Sequence, residues 1–265
     1  MPKDIRIATF NVNSLKARLG NVVSWLRATN PDIVLFQETK TIDEQFPALE
    51  IEDLGYNLAI YGQKTYNGVA IASKFPLSDI TRGLAGEPED EQARYIEAVA
   101  SAHGQAIRIA SAYIPNGQAV DSDKFAYKLR FYDRLRTHWQ ERLAHYEIAV
   151  LGGDFNCAPA AMDVYDAKAL DGTVCFHPLE REKLRALMYE GFSDAFRLLH
   201  PDVTQFSWWD YRQNGYERGL GLRIDHLLCS AMATDRLVEA WIDEAPRAQE
   251  KPSDHAPVVG LFRLD

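Results

Sequence analysis

The feature of this sequence that most limits its fold is a set of short apolar runs, each followed directly by polar side chains. Residues 5–12, 32–36, 107–114 and 148–151 are such runs, and each has the length of a buried β-strand. The polar residues at or just beyond their ends are Asn11, Asn13, Glu38, Tyr113, Asp154 and Asn156. In open α/β sheets a ligand binds beyond the carboxyl ends of strands, so these side chains are predicted to converge on one site.

A simpler interpretation is that Asn, Asp and Gly end strands because they form turns. It accounts for any one cluster, but a turn does not require Glu38 two residues after Phe36. Nor does it require the adjacent acid and imidazole of Asp254-His255, which precede the last apolar stretch. A carboxylate beside a histidine can bind a divalent metal and carry a proton on neighbouring atoms. Taken alone, an Asp-His pair is typical of a solvated loop, but together with the polar clusters at the other strand ends it indicates metal-assisted hydrolysis.

The order of predicted elements indicates more than one sheet layer. A helix is predicted to begin with Ser14 as its N-cap and to end at Asn30-Pro31. Strands follow at 56–62, 68–73, 95–101 and 107–114, with no room for helices between the later ones. A helix is predicted at 122–144, a second helical region at 179–199 and an exposed loop at 83–92. Such runs of strands favour two packed sheets over a doubly wound unit.

Length and composition favour one domain spanning residues 1–265. The chain is 46% hydrophobic, contains no apolar run long enough to cross a membrane, and leads from residues 1–4 directly into a strand. We therefore expect a soluble cytoplasmic protein that is monomeric and has no membrane partner. Cys157, Cys175 and Cys229 lack the spacing of a thiolate metal site and are expected to be reduced packing residues.

The charge of the chain gives conflicting indications about a nucleic-acid partner. A net charge of −9 is unfavourable for binding phosphates. Part of the acidic excess would be offset, however, if the acids near the strand ends gather around a metal ion. The helix predicted at 122–144 is amphipathic, with a basic outer face that includes Lys124 and Lys128. That face is either an ordinary solvated surface or a surface that contacts phosphates.

Seven short motifs are spread along the chain in a fixed order. They are Asn11-Val12-Asn13 with Leu15 and Arg18, Gln37-Glu38, Tyr113 to Gly117, Gly153 to Asn156, Phe206 to Arg212, Arg223-Ile224-Asp225, and Ser253 to Pro257. In this order they resemble exonuclease III-type abasic-site endonucleases, and the resemblance runs nearly from end to end. It implies an α/β fold of the DNase I type: a four-layer sandwich of two mixed β-sheets flanked by helices.

Some of these motifs are shared with a wider superfamily. The Glu, Gly-Asp-x-Asn and Ser-Asp-His patterns also mark DNase I and the inositol polyphosphate phosphatases. The segment from Trp208 to Arg212 and the Lys251-Pro252 sequence before Ser253 favour the DNA-repair branch.

The candidate metal site combines residue types that suit Mg²⁺. Glu38 and Asp254 offer the carboxylate oxygens that Mg²⁺ or Mn²⁺ prefers, and Asn11 offers a neutral amide oxygen. The resemblance implies that Asp154, Asn156 and His255 also belong to this metal site.

The resemblance also implies roles for the catalytic groups. His255 would contact the scissile phosphate or help to activate water, while Asp225 would hold its imidazole, fix the tautomer and stabilise the imidazolium. Asp154 would orient water or protonate the leaving group. Asn156 would donate to a phosphoryl oxygen, and Tyr113 would supply a phenolic donor from the opposite side.

DNA contacts are predicted for Trp208, which could pack against an abasic deoxyribose, and for Arg212, Lys124, Lys128 and Arg94. The expected substrate is double-stranded DNA with abasic sites or 3′ ends, incised 5′ to the abasic site and cleared of 3′ blocking groups or nucleotides. One alternative is a phosphatase or phosphodiesterase for a small phosphorylated molecule, which the acidic charge favours. The other is a DNA-binding module without catalysis, disfavoured because every proposed catalytic position carries the required residue type.

Overall fold

The computed structural model describes residues 3–85 and 90–264. Its strands are β1 (Asp4–Asn11), β2 (Ile33–Gln37), β3 (Asn57–Tyr61), β4 (Val69–Ser73), β5 (Leu77–Arg82), β6 (Tyr95–Ala102), β7 (Gln105–Tyr113), β8 (Ala149–Asp154), β9 (Phe192–Asp194), β10 (Trp208–Trp209), β11 (Gly221–Leu222), β12 (Asp225–Ser230), β13 (Leu237–Ile242) and β14 (Val258–Arg263). Its α-helices are α1 (Leu19–Thr29), α2 (Ala48–Glu52), α3 (Asp123–Leu143), α4 (Ala167–Leu170), α5 (Pro178–Met188), α6 (Ala195–Leu199) and α7 (Ala231–Thr234). Short 3₁₀ turns occur at Lys16–Arg18, Asp43–Gln45, Ala161–Asp163, Arg212–Asn214 and Ala245–Ala248.

In the described part of the chain, most strands form two six-stranded sheets. The first has the order β13-β14-β1-β2-β4-β3, and the second has the order β5-β6-β7-β8-β12-β9. Both sheets are mixed, because β1 pairs with β2 and β7 pairs with β8 in parallel while their other pairs are antiparallel. A separate hairpin-like pair is formed by β10 and β11.

The alternation of side chains along the strands separates a core between the sheets from a core on the outer face of each sheet. Ile5 and Ile7 of β1 face the second sheet and pack in the core between the sheets, whereas Ala8 and Phe10 face outward. The outer face of the first sheet is covered by α1, through Trp25 and neighbouring apolar residues. The outer face of the second sheet is covered by α3 and α5, so the molecule has four layers.

Three local expectations require correction. Ser14 is not an N-cap: it has a φ of 85°, and the chain passes through a 3₁₀ turn before α1 begins at Leu19. The predicted end of this helix is confirmed, since Asn30 is its left-handed C-cap. The region 179–199 is not continuously helical, because β9 joins the edge of the second sheet between α5 and α6. In the predicted exposed loop at 83–92, residues 86–89 lie outside the described residues, and Leu84 is buried against the outer core.

Candidate active site

The functional side chains meet at one edge of the sandwich because four strand ends lie there. The parallel pairs β1–β2 and β7–β8 both have their carboxyl ends at this edge. Asp225 begins β12 and lies opposite Asp154 at the end of β8. The last strand, β14, runs antiparallel to β1, so the Asp254-His255 segment that precedes it also reaches this edge.

The core between the sheets becomes polar as it approaches this edge. Following the alternation of β1, Thr9 and Asn11 continue the inward face of Ile5 and Ile7. The buried amide of Gln37 donates to Thr9 Oγ1 at 3.0 Å and to Ser111 Oγ at 2.9 Å, which links the two sheets. These bonds satisfy the buried polar groups and form a polar floor beneath the site.

The two glycines before Asp154 permit close packing at this point. A Cβ at Gly152 would lie 2.6 Å from Leu35 Cδ1, and one at Gly153 would lie 2.0 Å from the carbonyl oxygen of Ala112. Any side chain at Gly153 would therefore push β8 away from β7. The Gly-Gly pair keeps Asp154 at its position beside Tyr113 in the parallel register.

Asn11 holds two carboxylates together. Its Nδ2 donates to Glu38 Oε1 at 2.9 Å and to Asp154 Oδ2 at 2.9 Å, while its Oδ1 accepts from the backbone N–H of Asn13. As oriented, Asn11 therefore presents its N–H, and not the oxygen expected of a metal ligand, to the acidic cluster. Glu38 has a φ of 53°, a left-handed conformation that places its side chain over the end of β1.

His255 is oriented by Asp225 in a fully buried contact. Its Nδ1 lies 2.9 Å from Asp225 Oδ2 and 3.1 Å from Oδ1, which leaves Nε2 facing Asp154 Oδ2 at 3.7 Å. Ser207 Oγ in turn donates to Asp225 Oδ2 at 2.6 Å and accepts the backbone N–H groups of Ile224 and Asp225. The imidazole thus has one occupied nitrogen and one nitrogen directed at the acidic cluster.

Burial and the crowding of charge shift the pKa values of these groups. Burial and the nearby carboxylates raise the pKa of Asp154 to about 7, although the charge of His255 opposes this. Burial alone would lower the pKa of His255, but the charges of Asp225 and Asp154 outweigh it and raise that pKa to about 10. Burial, with the charges of Glu38 and Asp154, raises the pKa of Tyr113 well above its ordinary value, so its phenol keeps its proton as a donor.

Glu38 behaves differently because it has a cationic partner. Burial would raise its pKa, but the ammonium of Lys40, 2.7 Å from Oε2, holds the pKa of Glu38 below its usual value. Lys40 Nζ also donates to Asn13 Oδ1 at 2.6 Å. Glu38 is therefore ionised at neutral pH and available to a cation.

The donor set fits a hard divalent cation. Glu38, Asp154 and His255 each offer one ligand atom, and these atoms all lie within 4.8 Å of one another. Asp254 lines the same cavity, but its two oxygens accept from Asn13 Nδ2 at 2.9 Å and from Trp208 Nε1 at 3.0 Å. The two carboxylates supply the hard oxygen donors that such a cation prefers. The raised pKa of His255 keeps both ring nitrogens protonated, so its Nε2 is a hydrogen-bond donor and not a ligand while the ring is charged.

Asn156 lies beside Asp154 but presents its groups to protein partners. Its backbone N–H donates to Asp154 Oδ1 at 2.9 Å, and its Nδ2 donates to the carbonyl of Ile114 at 3.0 Å and to Asp154 Oδ2 at 3.3 Å. Its Oδ1 accepts from Asn116 Nδ2 at 2.9 Å. As placed, Asn156 therefore positions Asp154 and does not direct its oxygen into the three-residue cluster predicted to bind metal.

A cavity of about 650 Å³ opens over the acidic cluster. Its lining includes Trp208 and Arg212 and the apolar side chains of Leu222 and Ile224. The Arg212 side chain is 85% exposed and pairs with Asp210.

A second cavity, of about 460 Å³, adjoins the first along Glu38, Tyr113 and Asn116. It contains two of the residues predicted to contact DNA. Arg94 covers the ring of Tyr113 at 4.7 Å, and Lys124 bonds Gln118 at 2.8 Å on the surface. The two cavities share Glu38, Tyr113 and Asn116 and so form one groove, with Glu38 of the acidic cluster where they meet.

The predicted DNA contact by Lys128 is wrong. Its side chain is completely buried, and its Nζ donates to the carbonyls of Asn156 and Asn116 and to Glu180. An ammonium in this position cannot reach a phosphate outside the protein.

Several supporting residues were missed by the reading of the sequence. Two of them, Lys40 and Arg247, lie outside the seven motifs, whereas Arg18, Asn116 and Ser207 lie within motifs but had no predicted role. The two arginines bind the carbonyls of Pro252 and Ser253, directly before Asp254, and Arg18 does so at 3.1 Å from Pro252. Lys40 lies two residues after Glu38, and this spacing was the available signal. Arg247 lies six residues before Ser253, but the bonds of Arg18 to Pro252, Asn116 to Asn156 and Ser207 to Asp225 each span 18 or more residues.

The site and fold define a phosphodiesterase-like class, and comparison with known proteins identifies the family. Residues 8–255 match the Endonuclease/Exonuclease/phosphatase family. The chain belongs to this family.

Known proteins and solved structures are similar to this chain over nearly its whole length. Exodeoxyribonuclease III of Haemophilus influenzae is 34% identical over 267 residues, which cover 98% of this chain and 100% of that protein. A 3′ phosphatase from Neisseria, solved with a product DNA hairpin, superposes with a TM-score of 0.94 at 39% identity, covering 97% of this chain and 99% of that one. An AP endonuclease from Archaeoglobus fulgidus gives a TM-score of 0.92 at 39% identity, with the same coverage.

These comparisons confirm the resemblance, the four-layer fold of two mixed sheets and the prediction of a DNA repair nuclease, a hydrolase. In the described ranges, 3–85 and 90–264, none of the helices has the length and apolar character needed to cross a membrane.

Proposed function

We propose that this protein is a Mg²⁺-dependent nuclease of DNA repair that incises duplex DNA 5′ to abasic sites and removes 3′ blocking groups or nucleotides. We propose further that it acts as a cytoplasmic monomer with a single domain over residues 1–265. The observation that carries the proposal is the cluster of Glu38, Asp154 and His255, whose carboxylate oxygens and imidazole nitrogen lie within 4.8 Å of one another in a surface groove.

The cluster has the groups that phosphodiester hydrolysis requires. His255, protonated on a ring held by Asp225 at 2.9 Å, would donate from Nε2 to a phosphoryl oxygen. Asp154 would orient water or protonate the departing sugar oxygen, and burial, which raises its pKa, favours its holding a proton when no metal is bound. Tyr113, which keeps its proton, would donate to the phosphate from the side of the second cavity.

Glu38 and Asp154 would hold the metal. Asp254 would join them if one of its oxygens gave up its hydrogen bond to Asn13 or Trp208 and bound the metal instead. A bound Mg²⁺ supplies neutralisation of the charge that develops on the phosphoryl oxygens. Mn²⁺ prefers similar oxygen donors and would substitute. Asn11 and Asn156 would support the carboxylates through their amide N–H groups.

The groove would hold the DNA strand on both sides of the cluster. Trp208 presents a flat apolar face in the first cavity, suited to a deoxyribose that lacks its base. Arg94 and Lys124 in the second cavity, and Arg212 at the rim of the first, would contact phosphates.

The proposal is tested with the purified protein and Mg²⁺ on four substrates: a duplex with an abasic site, a duplex with a 3′-phosphate, a blunt duplex and an inositol phosphate. We expect hydrolysis of the DNA substrates, lost on chelation and restored by Mg²⁺ or Mn²⁺. His255→Ala serves as the control for a contaminating nuclease. Turnover of the inositol phosphate without turnover of DNA would contradict the proposal and favour the small-molecule alternative.

A further inference from the structure

The side chain of Lys128 connects the helical layer to the active site. Lys128 lies on α3 and Glu180 on α5, and both side chains have no exposed surface. Lys128 Nζ donates to Glu180 Oε1, to the carbonyl of Asn156 at 2.7 Å and to the carbonyl of Asn116 at 3.1 Å. An ammonium has three hydrogens to donate, so every one of them is used.

Glu180 completes the connection on the opposite side. Its Oε1 accepts the backbone N–H of Cys175 at 3.2 Å, and its Oε2 accepts that of His177 at 3.0 Å. Cys175 lines the cavity over the acidic cluster, as do Asn116 and Asn156. One buried ion pair thus binds the backbone of three separate segments that line the site.

We propose that Lys128 and Glu180 form a positioning pair for the nuclease site, setting the location of Asn156 and, through it, of Asp154. Only one residue lies between Lys128 and Asp154. The Lys128 ammonium binds the carbonyl of Asn156, and Asn156 donates hydrogen bonds to both carboxylate oxygens of Asp154. Gly117 fits this arrangement, since a Cβ there would lie 3.3 Å from Lys128 Cδ and the residue has a φ of 93°. The proposal rests on the proposed function for its catalytic consequence.

Docking of the two helices does not account for the pair. Apolar residues of α3 and α5, among them Leu135 and Leu184, already pack in the outer core. The same helices are also joined on the surface by Lys183 and Asp133 at 2.6 Å, with side chains 30% and 49% exposed. A buried ion pair rarely stabilises a fold more than apolar residues of similar volume would, so the placement of the loops is the more specific role.

The test compares the same substitution at the buried and the exposed lysine. Lys128→Met removes the donor and keeps the length of the side chain, and Lys183→Met is the matched control on the same pair of helices. We expect Lys128→Met to lower kcat on DNA by about 10- to 100-fold, as for a lost hydrogen bond to a charged group, with little change in KM. Lys183→Met should leave both constants unchanged. A rise in KM with kcat unchanged would overturn the proposal. Equal effects of the two variants would overturn it too.

Loss of stability is separated from loss of position by a second variant. Lys128→Met alone leaves Glu180 buried without a cation, which can prevent folding. Lys128→Met/Glu180→Gln has no unpaired buried charge, so its thermal midpoint should recover towards that of the parent while kcat stays low. If kcat recovers together with the thermal midpoint, the pair serves the fold alone and the proposal is wrong.

A double-mutant cycle with Asn156→Ala tests the part of the route that passes through the Asn156 side chain. This substitution removes the bond from Nδ2 to Asp154 Oδ2 but keeps the carbonyl that Lys128 binds and the N–H that bonds Asp154 Oδ1. If the side chain carries the effect, the loss from Lys128→Met/Glu180→Gln should be smaller in the Asn156→Ala background than in the parent. Fully additive losses would refute the side-chain part of the route.

Hydrogen exchange provides a readout that needs no nuclease activity. Amides in residues 154–157 should exchange faster in the Lys128→Met/Glu180→Gln variant than in the parent, and at the parental rate in Lys183→Met. Unchanged exchange there would overturn the positioning role. A parent protein that fails to hydrolyse DNA would instead contradict the proposed function.

Discussion

Asp225 and His255 should contribute to turnover as a single unit. Asp225 has no direct route to a substrate: its carboxylate is buried, and it contacts His255 Nδ1 at 2.9 and 3.1 Å and Ser207 Oγ at 2.6 Å. Apart from the effect of its charge on the pKa of Asp154, what Asp225 contributes to the reaction should therefore pass through the imidazole. Removing Asp225 should have little effect on turnover once His255 is already absent.

The magnitude follows from the geometry of the pair. A buried hydrogen bond between charged groups contributes about 1.5–3 kcal/mol, and the short, two-oxygen contact to Nδ1 favours the upper part of this range. Asp225→Ala should therefore slow turnover by about 100-fold. His255→Ala, which removes the proton donor itself, should slow it by about 10³–10⁴-fold. The double variant should match His255→Ala, which gives a coupling free energy of about 3 kcal/mol between the residues.

The assay is single-turnover incision of a duplex with one abasic site at saturating Mg²⁺, so that product release does not hide the chemical step. Thermal midpoints of all variants are measured in parallel to show that they are folded. A double variant slowed by the product of the two single effects, about 10⁵-fold or more, would refute the pairing. Ser207→Ala is a graded control. It removes the hydroxyl that donates to the Asp225 carboxylate and accepts the backbone N–H groups of Ile224 and Asp225, but it leaves the bond between Asp225 and His255 in place, so it should cost about tenfold, less than Asp225→Ala.

Four further outcomes are expected. Glu38→Ala removes a charged oxygen from a half-buried position, so it should lower the rate at limiting Mg²⁺ by about 100-fold and leave the thermal midpoint unchanged. Excess Mg²⁺ should partly restore the rate. A parental rate at limiting Mg²⁺ would contradict the metal assignment. Trp208→Ala should weaken incision at abasic sites about tenfold more than hydrolysis of a small phosphodiester, with Trp208→Phe intermediate because it keeps a ring, and equal losses on both substrates would point to the small-molecule function. Lys124→Glu should reduce the dependence of DNA affinity on log salt by about one unit, and an unchanged slope would show that Lys124 lies off the DNA path. Burial opposes ionisation of Asp194, but the charge of Arg223 outweighs it and holds the pKa of Asp194 far below its usual range, so its stabilising contribution is complete above pH ~4 and declines as the pH falls. The stability gap between the parent and Asp194→Asn should therefore narrow by about 1.2 kcal/mol from pH 5 to pH 3 in denaturant titrations, and a constant gap would refute the shift.

The residues at the centre of the site were predictable because strand geometry determines where their side chains point. Side chains alternate along β1, so once Ile5 and Ile7 face inward, Asn11 must face inward too. The apolar run of β2 places Glu38 one residue beyond its end, and the parallel pairing of β7 with β8 sets Tyr113 beside Asp154. These relations depend on local periodicity, which can be seen in the sequence, and on sheet topology, which connection rules limit to a few possibilities.

Lys128 was misplaced although its position carried a signal. It lies three residues after Phe125 and four before Tyr132, which are both buried, so helical spacing puts it on the inner stripe of α3 and not on the basic outer face. Lysine side chains are usually exposed, and for this reason Lys128 was assigned to the outer face in spite of its spacing. The partner that permits burial, Glu180, lies 52 residues away on another helix, and no local pattern indicates such a pairing.

The acidic total of the chain has a different meaning once the charges are located. Buried lysine and arginine side chains, including Lys128 and Arg223, are matched by buried acids, so they neither attract nor repel DNA. At the site, Glu38, Asp154, Asp225 and Asp254 carry four negative charges when ionised, against the two positive charges of Lys40 and a protonated His255. The excess of two negative charges would repel a phosphate, and it is also one cause of the raised pKa of Asp154. A divalent cation has the charge that removes this repulsion, so the acidity that argued against a nucleic-acid partner is, at this site, a reason to expect one bound through a metal.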